Sequence, residues 1–150
     1  MVEYYMNLAL NEAQKAYKKE EVPIGAIIVK DGKVIARAHN LKEKKNQACA
    51  HAEMLAIQKA CKKIKAWRLE DCDMYVTLEP CPMCAGAIIN ARIKNLYIGA
   101  MDPKGGAVGS KLNLFSDFKF NHTVNVEKGI LEEDCSIIMK DFFKELRKKK

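Results

Sequence analysis

No run of about 18 apolar residues occurs anywhere in the 150-residue chain, so no segment of it reads as a membrane-spanning helix. Met1-Val2-Glu3-Tyr4-Tyr5 shows no basic patch leading into an apolar stretch. No secretory leader is therefore expected, and the expectation is a soluble cytoplasmic protein. Glycine (8) and proline (4) are both scarce, which excludes collagen-like and low-complexity chains. Internal repeats and a linker are missing too, so residues 1–150 read as a single domain. What is present fits that reading: 49% hydrophobic and 30% charged residues suit a compact globular chain. A chain of this length buries roughly 70% of its unfolded surface without needing staples. The net charge of +7 biases the surface toward polyanions such as nucleic acid or an anionic membrane surface, without choosing between them. The six cysteines, with no leader, are expected to be reduced thiols free for packing, metal binding or catalysis.

Val2, Tyr5, Met6, Ala9, Ala13, Ala16 and Tyr17 recur at steps of three and four, which predicts an amphipathic first helix ended by Val22-Pro23. Two β-rich runs, 24–30 and 33–39, flank Asp31-Gly32 and predict an antiparallel hairpin. Residues 40–49 are polar and show neither period, so they read as a loop leading into a helix over about 50–64. A strand over 74–78, a helix over 83–91 and a strand over 95–100 form a βαβ unit, which makes those two strands parallel. A glycine-rich loop covers 102–110. A weak fifth strand over 124–126 and a final helix over 132–149, with Ile137, Ile138, Phe142, Phe143 and Leu146 on one face, complete the chain. The sum is an α/β fold: a mixed five-stranded sheet with helices on both sides. Ile88, Ile89 and Ile93 suit either a dimer face or the core.

The chemistry sits at two predicted strand-to-helix junctions, His51-Ala52-Glu53 and Pro80-Cys81-Pro82-Met83-Cys84. Either half alone is a weak signal. In this order they match the His-x-Glu then Pro-Cys-x-x-Cys signature of zinc nucleobase deaminases. His51, Cys81 and Cys84 supply three ligands to one tetrahedral Zn²⁺ and leave its fourth position open, which is the arrangement of a catalytic site. Zinc lowers the pKa of a bound water to about 7, and Glu53 is placed to take its proton and pass it to the substrate. The other reading is a closed structural site completed by Cys49, Cys61, Cys72, Cys135, His39 or His122. Cys49 is its main contender because it lies two residues before His51. Cys61, Cys72 and Cys135 sit beside apolar residues and suit small buried side chains.

At these residues the chain resembles the cytidine deaminase superfamily, and within it the bacterial tRNA-specific adenosine deaminases. The shared residues include Glu21-Val22-Pro23-Ile24-Gly25-Ala26, Asn40, Ala50 to Glu53, Thr77 to Ala87, and Asp102, Lys104 and Gly106 to Ser110. The ending Gly129-Ile130-Leu131 with Cys135 and Phe142-Phe143 also matches. The resemblance implies a three-layer α/β/α cytidine-deaminase-like fold and hydrolytic deamination of adenosine to inosine at wobble position 34 of a tRNA anticodon. In that reaction hydroxide attacks C6, ammonia leaves and Glu53 shuttles protons. It implies one Zn²⁺ per subunit of a homodimer, a tRNA anticodon stem-loop as partner, and an arginine tRNA with an ACG anticodon as first candidate. Carried over residue by residue, Asn40 contacts the flipped base or its ribose, and the backbone at Ala52 and Cys81 orients base and hydroxide. Asp102 and Lys104 meet neighbouring nucleotides, and Phe142, Phe143 and Arg147 lie near the RNA. The chain departs from its relatives at Gln47-Ala48-Cys49, where they carry Asp-Pro-Thr or Asp-Ala-Thr. Two other functions share these motifs: a free-base or nucleoside deaminase acting on guanine or cytosine, and a non-catalytic zinc-stabilised RNA-binding protein. Glu53 argues against the second, because a structural zinc site has no use for a proton shuttle.

Overall fold

Asp31 and Gly32 both adopt positive φ, 51° and 74°, as a two-residue hairpin turn with the right twist requires. They join β1 (Gly25–Lys30) to β2 (Lys33–His39) as the Asp-Gly pair predicts. A computed structural model describes residues 1–117 and 119–149 of the chain. After α1 (Val2–Lys18) and the hairpin come α2 (Lys42–Lys45), α3 (Ala52–Ile64), β3 (Cys72–Leu78), α4 (Pro82–Asn90) and β4 (Asn95–Ala100). The chain then forms α5 (Leu114–Asp117), β5 (Asn125–Lys128) and α6 (Glu132–Lys148). The strands order as β2-β1-β3-β4-β5. β1 runs antiparallel to both β2 and β3, whereas β3, β4 and β5 are mutually parallel.

The period-two alternation of the strands divides the core in two. Ala26, Ile28, Met74, Val76, Leu96 and Ile98 face α3 and α4, while Ile27, Val29 and Tyr75 face α1 and α6. The sheet is thus the middle of three layers, the α/β/α arrangement of a cytidine-deaminase-like fold. Close approach to both helical layers depends on small residues: Ala52, Ala56 and Ala60 on α3, and Ala9 and Ala13 on α1, are all fully buried. At Gly25 a Cβ would collide with the backbone of Ala9 and Ala13, so only glycine lets α1 lie this near β1. Ile88, Ile89 and Ile93 are buried in the sheet-facing core, which decides their role against a dimer face.

The structure corrects the sequence reading in two connections. Residues 40–49 are not wholly loop, because 42–45 close one helical turn. The Glu21 carboxylate, almost fully buried, accepts hydrogen bonds from the amides of Glu43 (3.1 Å) and Lys44 (2.7 Å) and so caps that turn from a distant part of the chain. α5 is likewise an unanticipated single turn, in which Asn113 Oδ1 accepts from Phe115 N and Asp117 Oδ2 accepts from Asn113 N. Boundaries also move: β3 begins at Cys72, α4 begins at Pro82 and β5 spans Asn125–Lys128. No helix among the described residues is long and apolar enough to cross a membrane.

Candidate metal centre and active site

β3 delivers the chain to the N-terminus of α4, and the N-terminus of α3 lies beside it, so the two motifs meet at the carboxyl end of a parallel strand pair, a recurrent place for ligands in α/β sheets. His51 is the N-cap of α3 and Cys81 the N-cap of α4, both with extended backbone and neither side chain bonded to its own helix's amides. Cys84 follows one turn into α4, and Pro82 occupies the first turn, where its missing N–H costs no helical hydrogen bond.

The ligating atoms of His51, Cys81 and Cys84 all lie within 4.8 Å of one another. His51 Nδ1 is 3.7 Å from Cys81 Sγ and 3.6 Å from Cys84 Sγ. Tetrahedral bonds of about 2.3 Å to sulfur and 2.0–2.1 Å to nitrogen span an S···N separation of about 3.6 Å, so the donor set has the spacing that a zinc ion requires. The hydrogen bond from Cys84, joined by that of His51, holds the Cys81 thiol down at about 4 despite burial. Cys84 is pushed up by its hydrogen bond to Cys81 and by burial, and His51 is pushed up by its hydrogen bond to Cys81.

Glu53, in the first turn of α3, is the fourth member of the group. Burial pushes its carboxyl up to about 7. Its Oε1 is buried and has no hydrogen-bond partner among the described residues. Such an orphaned acceptor costs about 1–3 kcal/mol, a cost that persists where a function needs the group.

The residues proposed to close the site lie elsewhere. Cys49 is exposed and is not part of the donor cluster. His39 Nδ1 donates to Glu12 Oε1 (2.9 Å), His122 Nε2 donates to the Ile93 carbonyl (2.6 Å), and the Cys61 thiol donates to the Trp67 carbonyl (3.7 Å). Cys72 and Cys135 are buried in the core. Among the described residues, then, the cluster comprises three protein donors and leaves a fourth direction to another ligand.

Asn40 is buried beside the cluster, and its Oδ1 accepts the Ala52 amide (2.8 Å) at the start of α3. The Ala52 amide is thereby committed to Asn40, and the Asn40 Nδ2 makes no hydrogen bond among the described residues. Asp102 is half-buried at the entry to the glycine-rich loop, where its Oδ1 accepts the amides of Lys104 (3.1 Å) and Gly105 (3.3 Å); Lys104 itself is exposed. Phe142 is mainly a packing residue, buried edge-on against Tyr17 and Phe143. Phe143 and Arg147 are exposed on α6, and Lys150 of the basic tail lies outside the described residues. Phe142, Phe143 and Leu146 line a cleft of about 530 Å³ with Lys19, Lys42 and Lys44 and with Glu20, Glu21 and Glu43, so aromatic groups and charges of both signs border one space.

Sequence reasoning missed two carboxylates, Glu21 and Glu79. Glu79 accepts hydrogen bonds from the amides of Asp102 (2.9 Å), Val108 (2.9 Å) and Ser110 (3.0 Å) and from the Ser110 hydroxyl. Burial alone would raise its pKa, but the Ser110 hydroxyl and these amides outweigh burial and hold the carboxyl below its ordinary value. The one available signal was a charged residue directly between an apolar strand and Pro80-Cys81.

Comparison with known proteins bears on this arrangement. The family model of MafB19-like deaminases matches residues 2–147. A tRNA-specific adenosine deaminase of Bacillus subtilis is 54% identical over 148 residues, which cover 99% of this chain and 92% of that protein. A solved structure from biochemical and structural studies of A-to-I editing by tRNA:A34 deaminases at the wobble position of transfer RNA superimposes with a TM-score of 0.87. It is 49% identical, over 90% of this chain and 98% of the other. A guanine deaminase of Bacillus subtilis is more remote, at 33% identity and a TM-score of 0.65 over 97% of this chain and 93% of that one. Likeness of the first two kinds, running through nearly the whole of each chain, means that the protein is a MafB19-like deaminase and belongs among the tRNA-specific adenosine deaminases.

Proposed function

We propose that this chain hydrolyses adenosine to inosine at wobble position 34 of a tRNA anticodon, releasing ammonia, with one zinc per subunit held by His51, Cys81 and Cys84. The observation that carries the reading is the buried, unpartnered Glu53 oxygen beside three converging donors. Bound zinc supplies a Lewis acid able to bring the pKa of water to about 7. Glu53 then does the proton work. Its carboxylate accepts a proton from the attacking water and donates it to the ring nitrogen as the C6–O bond forms; it then accepts the second proton, from the hydroxyl now on C6, and donates it to the amine, which leaves as ammonia when the C6–N bond breaks. Burial favours the protonated form that Glu53 holds between taking a proton and giving it up.

Asn40 holds the base or ribose through Nδ2 while its Oδ1 stays on Ala52. An adenosine within a stem-loop reaches such a recess only when splayed out of the loop, and the exposed Lys104, Phe143 and Arg147 suit the backbone and unstacked neighbours of a splayed strand. Homodimeric assembly and action in the cytoplasm belong to the same reading.

The test is to incubate the zinc-loaded protein with an anticodon stem-loop carrying adenosine at the wobble position and to assay inosine by mass spectrometry. Free adenosine, cytidine and guanine run alongside. Inosine in the RNA alone supports the proposal; conversion of only a free base or nucleoside overturns the substrate and leaves the zinc chemistry standing. Within the same assay, Asn40→Asp keeps the acceptor for the Ala52 amide and loses the outward N–H donor. KM for the stem-loop should rise roughly tenfold or more, the value of one lost hydrogen bond, and the melting temperature should fall somewhat, because the new carboxylate is buried with a partner for one oxygen only. An unaltered KM would remove Asn40 from the substrate contacts.

A further inference from the structure

The loop that leads from β4 to α5 carries little regular structure of its own, a single bridge between Val108 and Asn113 being its one ladder contact. What gives it a shape is Glu79, buried immediately after β3 and two residues before Cys81. The two carboxylate oxygens divide the loop between them. Oε1 accepts the Asp102 amide and the Ser110 hydroxyl, and Oε2 accepts the amides of Val108 and Ser110. A Cβ on Gly106 would fall on the carboxylate itself, so the loop passes directly against the anion and only glycine permits it. The Ala107 amide adds a bond to the Pro80 carbonyl (2.9 Å), inside the cysteine-bearing turn. One buried side chain thereby joins the turn that presents Cys81 and Cys84 to the loop whose rim carries Asp102 and Lys104.

We infer that Glu79 is a positioning residue: it moulds the 102–110 loop around its carboxylate and so fixes the Asp102–Lys104 rim, relative to the cysteine turn, in the geometry that receives RNA. The inference rests on the proposed tRNA reading for the identity of what the rim receives. Glu79 touches no substrate. Its contribution is preorganisation: four donors already committed to one buried anion spare the loop the ordering that binding would otherwise demand.

Glu79→Gln is the informative substitution because it keeps the shape and removes one acceptor. If the new NH₂ group took the place of Oε2 it would oppose two amide donors. Placed at Oε1 it opposes one amide, Asp102, and meets a hydroxyl that can turn to accept. The second orientation wins, so the variant lets go of the loop at Asp102 while Val108 and Ser110 stay held. Gly106→Ala perturbs the same contact from the loop side, without touching the cysteine turn.

The experiment compares the zinc-loaded wild type with Glu79→Gln, Glu79→Ala, Gly106→Ala and the Glu79→Ala/Gly106→Ala double variant. It reads zinc content, kcat and KM on the wobble-adenosine stem-loop, and amide hydrogen exchange in the peptide covering 101–112. Expected for Glu79→Gln are full zinc content, faster exchange in that peptide and a loss in kcat/KM of about 100-fold carried mainly by KM. Gly106→Ala should do the same in the wild-type background but add little to Glu79→Ala, since removal of the carboxylate frees the space its Cβ needs. Wild-type exchange and KM in Glu79→Gln, additive losses in the double variant, or loss of zinc with a collapse confined to kcat would each overturn the inference. A wild type that leaves the stem-loop unchanged would instead strike the tRNA reading, and the exchange data would still judge the mould.

Discussion

Replacing Glu53 by glutamine should lower kcat on the stem-loop by about 10³-fold or more, within or beyond the 10²–10⁴ that a positioned acid–base group contributes. Zinc content should stay at the wild-type level. The substitution keeps the side-chain volume at a position that is nearly fully buried, and no ligand is altered. It removes the ability to take up and release a proton, which is the one property of Glu53 that the site uses in the proposed reaction. The stability effect should run opposite to the activity effect. A buried carboxylate with an unpartnered oxygen is costly, and glutamine replaces it with a neutral group, so the melting temperature should hold or rise. Retained activity in Glu53→Gln would refute the proton-shuttle assignment. Lost activity accompanied by lost zinc would instead move Glu53 from proton transfer to holding the metal.

Glu53 was legible in the sequence because its signal is local: two residues from a histidine of the donor cluster, at the start of a helix, it needs no tertiary information to be noticed. The same holds for the Asp31-Gly32 turn and for the parallel pairing of β3 with β4, since a short strand–helix–strand span leaves the chain no other way back to the sheet. α2 and α5 were not legible. Four residues are too few to display a helical period, and what stabilises α2 is the Glu21 carboxylate, whose partners are Glu43 and Lys44. Glu79 escaped for the same reason, because its partners at 102, 108 and 110 form no pattern with it in the chain. The Ala52 amide illustrates a finer limit: the resemblance indicated that Asn40 and the Ala52 backbone belong near the base, but the hydrogen bond from the Ala52 amide to Asn40 is visible only in the fold. Loops shaped by buried anions from elsewhere in the fold are what local patterns fail to reveal, and both such loops here border the site.

Stripping the metal with a chelator should abolish deamination and lower the melting temperature by several degrees or more, and added zinc should restore both. A ligand held at about a thousand times its dissociation constant stabilises the native state by about 4 kcal/mol, and 1 kcal/mol shifts the melting point of a domain of this size by about 2–4 °C. His51, Cys81 and Cys84 come from the first turns of two helices, so the ion would tie α3 to α4 at the end where the sheet delivers both. Acid should act in the same direction as the chelator. His51, whose pKa is raised by its hydrogen bond to Cys81, and the two cysteines must all be free of their protons to bind the metal, so affinity falls as pH falls. Cysteine substitutions separate the open site from a closed one. Cys84→Ala removes a fully buried donor, and zinc content and activity should both be lost. Cys49 lies exposed and apart from the cluster, so Cys49→Ala should keep one zinc per chain and wild-type turnover. Loss of zinc in Cys49→Ala would mean that this cysteine reaches the metal in solution, which would close the fourth position and with it the route for water to the reacting carbon.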